Sequence, residues 1–183
     1  FASSGGCSYG EPDCVPTEEE HPLNPHDPYG ASKVAFELYL RTWFNLYQIP
    51  YTIFRYPNVY GPKQDPFGEA AVIAIFAGRM LRHLEVTIFG DGDQVRDFVF
   101  VDDIVQANLM ATKRSANRAY NLGHGAGVSV NDIYGNLAKI IGYEQPPVYA
   151  PARQGEIRRS ALSSKRIRAD WGWRPQIFLE EGL

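Results

Sequence analysis

The chain has little of several things, and each shortage removes a class of function. Only two of its 183 residues are cysteines, Cys7 and Cys14, too few for a disulfide framework and not spaced as a CxxC metal pair. Four histidines, His21, His26, His83 and His124, are scattered without HxH or HxxxH spacing, so no metal site is expected. No apolar run approaches the ~20 residues that span a bilayer, and Phe1–Gly6 carries no basic n-region of a signal peptide. Basic charge is not in excess: 18 Lys and Arg against 21 Asp and Glu give −3, which disfavours nucleic acid as a partner. A cytoplasmic protein is the expectation. Also missing is an initiator Met, and Phe1-Ala2-Ser3 opens like the end of a buried strand, so we expect a piece of a longer protein.

The composition present, 44% apolar and 21% charged, suits a globular domain able to bury a core. Phe1–Gly10 reads as a strand running into a loop, and the acidic, Pro-rich stretch from Glu11 to Asp27 as surface. Asp27-Pro28 supplies an N-cap and an N1 proline for a helix over about 29–47. Val34, Phe36, Leu38, Leu40, Trp43, Phe44 and Tyr47 cover more than one face, so this helix is expected to be deeply packed. Strands follow at 51–56, 86–89, 98–101 and 119–122, alternating with helices at about 70–82, 129–141 and 163–171. Asp102-Asp103 is expected to cap a further helix to about Thr112. Such alternation indicates an α/β chain with a mainly parallel sheet.

Tyr29 and Lys33, at i and i+4, share a helix face. A neighbouring ammonium favours the phenolate, which would bring such a tyrosine into range for acid–base work. The pair alone is common by chance. Upstream, Ser3-Ser4-Gly5-Gly6 falls where a strand would deliver hydroxyls to the ligand edge of an open sheet, although strand-end serines are also ordinary turn formers. The run Arg158-Arg159, Lys165-Arg166, Arg168 reads as a solvated face, Trp171 and Trp173 as packing residues.

Taken together, Ser3-Ser4-Gly5-Gly6, Tyr29-Gly30-Ala31-Ser32-Lys33, Arg55-Tyr56-Pro57-Asn58-Val59-Tyr60-Gly61-Pro62, Phe89-Gly90-Asp91-Gly92, Val95–Asp103, Asn121-Leu122-Gly123 and Arg153-Gln154-Gly155-Glu156 resemble, in this order, the extended short-chain dehydrogenase/reductases. Within them the chain is most similar to the NAD-dependent nucleotide-sugar epimerases and dehydratases, especially those that epimerise UDP-hexoses at C4. The resemblance implies a partial Rossmann-like parallel sheet with a smaller α/β substrate-binding domain. Residues 1–60, joined by part of 86–123, would belong to the NAD-binding domain, and 61–183 mainly to the nucleotide-sugar domain. It also implies NAD as cofactor, a UDP-hexose as substrate and a homodimer through the Tyr29 helix.

By the same resemblance, Tyr29 shuttles a proton at the sugar 4-hydroxyl, Lys33 binds the nicotinamide ribose, and Ser4 is the catalytic hydroxyl. Ser3 and Pro57 join the cofactor site, while Gly5 stands where the family's serine falls. Asn58, Arg96 and Arg153 are implied for the diphosphate sugar and Phe89 for the base. No Thr-Asp-Glu of the dehydratase subgroup is present, which favours epimerisation. Gly123-His124-Gly125-Ala126-Gly127 has Val128 where a third dinucleotide-binding glycine is needed, so no phosphate-cradling turn is read in the chain. Other nucleotide-sugar chemistry, or sugar-nucleotide binding without catalysis, are the alternative functions.

Overall fold

The computed structural model describes residues 1–68 and 71–183. Its elements are β1 (Ala2–Ser4), α1 (Gly5–Ser8), α2 (Pro28–Tyr47), β2 (Thr52–Tyr56), β3 (Asn58–Tyr60), α3 (Val72–Met80), β4 (Thr87–Phe89), β5 (Val95–Arg96), β6 (Phe98–Phe100) and α4 (Val101–Ala111). Then come β7 (Arg118–Asn121), β8 (Val128–Ser129), α5 (Val130–Ile141), β9 (Val148–Ala150), β10 (Arg159–Ser160), α6 (Lys165–Trp171) and α7 (Leu179–Gly182). The expected start of the third helix at Ala70 lies outside the described residues.

A three-stranded parallel sheet, β1-β2-β7, carries the amino-terminal end of the site. Its β-branched and aromatic centre, Ile53 and Phe54, is fully buried, and Ser4 stands level with Tyr56 at the sheet's C-terminal edge. The chain then leaves this sheet. β3 runs parallel to β6, and β4 runs parallel to β9. β5 is the middle strand of β10-β5-β8, with two-residue ladders on either side, parallel to β10 and antiparallel to β8. Of the stretch 86–123, the strand at its far end, β7, joins β1 and β2, whereas β4 and β5 pair with later segments. One apolar cluster joins α3 and α5 through Phe76, Met80, Ile133 and Leu137. A second packs Phe54, Ile104, Tyr120 and Trp173 about the first sheet.

Two local expectations need correction. The long helix starts as its cap predicts, with the Asp27 carboxylate accepting from Gly30 N–H at 2.6 Å, but it is not deeply packed. Its only buried residues are Gly30 and Glu37, and Leu38, Tyr39, Trp43, Leu46 and Tyr47 stand exposed. Apolar content fixes what a helix face is made of, not whether this chain covers it. Asp102 and Asp103 lie inside the first turn of α4, and the Asp103 carboxylate accepts from Gln176 and Ile177 N–H instead of capping its own helix. The basic run is the solvated face expected, with Arg158, Arg159, Lys165 and Arg168 exposed, and it carries surface ion pairs. Arg158 forks onto Asp91 at 2.7 and 3.0 Å, Lys165 meets Glu18 at 2.8 Å, and Arg166 meets Glu19 and Glu20. Opposite charge on the acidic loop draws it there, and Glu11 accepts from the Arg158 and Arg159 backbone N–H groups.

Candidate active site

Tyr29 sits in the first turn of α2, where Gly30 allows the helix to meet α1 closely. A Cβ at Gly30 would lie 2.7 Å from the Cys7 carbonyl oxygen. This approach sets the half-exposed Tyr29 phenol beside Ser4, Cys7 and Asp27. Burial raises the phenol above its ordinary range, Cys7 and Asp27 add to that, and a hydrogen bond from Ser4 works in the opposite direction. Tyr29 therefore holds its proton at neutral pH and is poised as a donor.

Lys33 is placed differently from expectation. Its ammonium donates to the Ala2 carbonyl at 3.0 Å and lies 5.4 Å from the centroid of the Tyr29 ring, over its face. It does not hold the phenol down. Both groups nonetheless face β1, Lys33 at its first residue and Tyr29 at its last. Of the two serines Ser4 is the one beside Tyr29, and its hydroxyl accepts from Cys7 N–H at 3.3 Å. Alternation along β1 turns Ser3 the other way, where its buried hydroxyl donates to Glu37 at 2.5 Å. Pro57 follows β2 at the same sheet edge, one residue past the level of Ser4.

Beside this edge lies a cavity of about 410 Å³, within the usual size of ligand sites. Asn58, Phe89, Arg96 and Arg153, four residues from four segments, all line it, together with Gln94 and Glu156. Asn58 is placed by its backbone N–H on the Asp97 carbonyl at 2.9 Å, and its side-chain oxygen approaches Gly6. Arg96 donates to the Val95 carbonyl at 2.9 Å and to Glu156 at 3.3 Å. Burial works against its charge, and Glu156 and Glu11 support it. The Arg153 guanidinium stacks 4.4 Å from the Phe89 ring centroid. Two planar groups are thus presented at one end of the cavity and a forked cation beside them, a set suited to a flat base carrying phosphates. Asn58 lines the cavity and its side-chain oxygen approaches Gly6, two residues past Ser4, which puts the Ser4 end of β1 next to the cavity.

Several residues that build the site carry no local signal. Asp97 accepts three backbone N–H groups, from His124, Gly125 and Leu162, and so ties the strand of Arg96 to two distant loops. Gln94 reaches the Phe89 carbonyl at 2.8 Å. Glu37 and Arg55 form a buried pair at 2.6 Å. One charge inside each of two apolar stretches, 34–40 and 52–56, is the sequence feature that could have suggested that pairing.

Residues 1–123 match the model of the NAD dependent epimerase/dehydratase family. Over 182 residues the chain is 43% identical to a UDP-glucose 4-epimerase of Mycolicibacterium smegmatis, covering 99% of this chain and 58% of that protein. It superposes on the Thermotoga maritima UDP-glucose 4-epimerase crystallised with UDP-glucose with a TM-score of 0.97 at 48% identity, covering 100% of this chain and 59% of that one. For the Thermus thermophilus UDP-glucose 4-epimerase in complex with NAD, the TM-score is 0.91 at 43% identity, covering 100% and 60%. The chain therefore spans somewhat under two thirds of these proteins.

Proposed function

Since the chain belongs to the NAD dependent epimerase/dehydratase family, we propose that it supplies the proton-transfer residue and the nucleotide-sugar pocket of an enzyme that epimerises a UDP-hexose at C4. One observation carries this reading: a proton-bearing tyrosine backed by a serine adjoins a cavity lined by two arginines and an aromatic ring. Arg96 and Arg153 bind the diphosphate, Phe89 borders the base, and Asn58 spans from the cavity to the reacting edge. Arg96 exchanges its bond to Glu156 for phosphate oxygens, a stronger charge-assisted contact in a water-poor pocket.

At the reacting edge, Tyr29 exchanges a proton with the sugar's 4-hydroxyl oxygen. Ser4 donates to the Tyr29 oxygen and steadies whichever form carries the charge. The residues present fit the nicotinamide end of a dinucleotide: Lys33 and Tyr29 offer donors for a ribose, and Ser4 and Pro57 lie at the same edge. NAD, when bound there, supplies hydride acceptance and return at the sugar carbon. Residues 1–60 with β7 form the cofactor side and the remainder mainly the sugar-nucleotide side. The exposed apolar face of α2 supports a homodimer through that helix, and the cytoplasm is the proposed location.

The test is interconversion of UDP-glucose and UDP-galactose by the gene-encoded protein, followed by proton NMR, beside calorimetric titration with UDP. Turnover with UDP affinity supports the proposal. UDP binding without conversion of either sugar refutes the epimerase and leaves a sugar-nucleotide-binding module.

A further inference from the structure

Behind the reacting edge lies a charged cluster to which no step above gives a role. Glu37, 1% exposed, receives two hydrogen bonds from Arg55, at 3.0 and 2.6 Å, and one from the Ser3 hydroxyl. Arg55 also donates to the Tyr9 hydroxyl at 2.7 Å, and Tyr9 donates in turn to the Asn121 side chain at 2.8 Å. The cluster therefore runs from α2 across β1 and β2 to β7. Burial opposes the Arg55 cation, but the bonds to Glu37 and Tyr9 outweigh it and hold the guanidinium above its ordinary value.

We propose that the Glu37–Arg55 pair, with Ser3, is a positioning device for proton transfer: it fixes the rotation and height of α2 on the sheet so that the Tyr29 phenol stays beside Ser4. This rests on Tyr29 being the proton-transfer residue. Glu37 lies two turns along α2 from Tyr29, and Ser3 is the residue before Ser4, so one carboxylate grips both carriers of the reacting oxygens. Opposite side-chain directions along a strand mean that anchoring Ser3 on one face orients Ser4 on the other. Adhesion alone does not require charge here, because well-packed apolar side chains in place of a buried pair are often neutral or stabilising. What a forked guanidinium–carboxylate contact adds is direction, since its two parallel bonds resist sliding and twisting together.

The experiment replaces the pair by apolar residues of similar length, Glu37→Leu with Arg55→Met, in the gene-encoded protein. UDP affinity should stay within about twofold, because the arginine-lined cavity does not use the pair. Sugar KM should change little, while kcat falls roughly 10- to 100-fold, the scale on which small misplacements remote from the chemistry are felt. Independently of turnover, the Tyr29 phenol, followed by NMR with labelled tyrosine and assigned with Tyr29→Phe, should titrate at higher pH. Loss of the Ser4 bond leaves burial, Cys7 and Asp27 acting on it, with Lys33 over its face.

A folded double variant with unchanged kcat and unchanged Tyr29 titration overturns the proposal. So does a parallel fall of kcat and UDP affinity, which marks general loosening. If the double variant does not fold, Ser3→Ala decides on the same readouts, with kcat expected about 3- to 10-fold lower. Failure of the underlying reading is separate: Tyr29→Phe would then keep normal kcat whatever the pair does.

Discussion

Removing the Arg96 guanidinium is the sharpest perturbation of the sugar-nucleotide pocket. Its side chain is only 17% exposed, and its one carboxylate contact among the described residues, Glu156 at 3.3 Å, lies on the same cavity wall. Truncating one partner of a buried, hydrogen-bonded charge pair costs about 2–5 kcal/mol. At 1.4 kcal/mol per tenfold, UDP should bind Arg96→Ala roughly 30- to 3,000-fold more weakly. Part of that loss could come from leaving Glu156 unpaired beside the phosphates. A cycle with Glu156→Ala separates the contributions: the double variant stays weak if Arg96 holds phosphate, and returns to parental affinity if unpaired Glu156 is the whole effect. Arg96→Lys should recover only part, since an ammonium cannot make the two-pronged contact. Arg153→Ala should act in the same sense at the low end of the range. Calorimetric titration with UDP reads the parent and all five variants, and unchanged affinity in both arginine-to-alanine variants would refute the assignment.

Three further outcomes are expected. Tyr29→Phe keeps the ring and removes the proton carrier, so kcat for the proposed reaction should drop about 10²- to 10⁴-fold with UDP affinity unchanged; a near-normal kcat removes Tyr29 from the chemistry. Burial pushes the Asp97 carboxyl up to about 6, against an ordinary 3.8. A raised carboxyl stabilises the fold at acid pH and loses that contribution as pH rises through about 6, so the stability advantage of the parent over Asp97→Asn should shrink by roughly 2 kcal/mol between pH 4 and 7; urea unfolding across that range checks it, and a constant difference contradicts it. Ser129→Ala deletes one arm of the Ser129–Asp132 capping box at the start of α5 and should cost about 1 kcal/mol, seen as a fall in Tm of roughly 2–4 °C; no change would mean that the cap is idle.

The sequence was most legible where a rule is local. Asp27-Pro28 marked the start of α2, Ser129 with Asp132 the start of α5, and the β-branched run at 52–56 became β2. Cavity residues were legible through motif order: Asn58, Phe89, Arg96 and Arg153 do share one cavity. What escaped depends on partners far along the chain. β5, β8 and β10 are two residues each, too short for any period, and exist only because each finds the others. The exposure of α2 was misjudged because periodicity reports the chemistry of a face and not its neighbour. Lys33 was expected at the phenol and instead answers the Ala2 carbonyl, a backbone group that side-chain patterns do not reveal.

The thin ladders beside β5 have a consequence for how a ligand would enter and leave. Every residue of β2 is paired with β1 or β7, and Phe54 and Arg55 with both, whereas β10 joins β5 through two residues, and the segment bearing it also carries Arg153 and Glu156. That segment is further secured by the Glu11 carboxylate on the Arg158 and Arg159 amides and by Thr17 pairing with Leu162. The stretch before these attachments, residues 153–156, is exposed and able to loosen while the first sheet remains intact, as the weaker parts of a protein do. Loosening moves Arg153 and Glu156 off the cavity wall. Amide exchange in residues 153–156 and escape of a bound nucleotide would then share one opening step, and occupancy of the cavity would slow both.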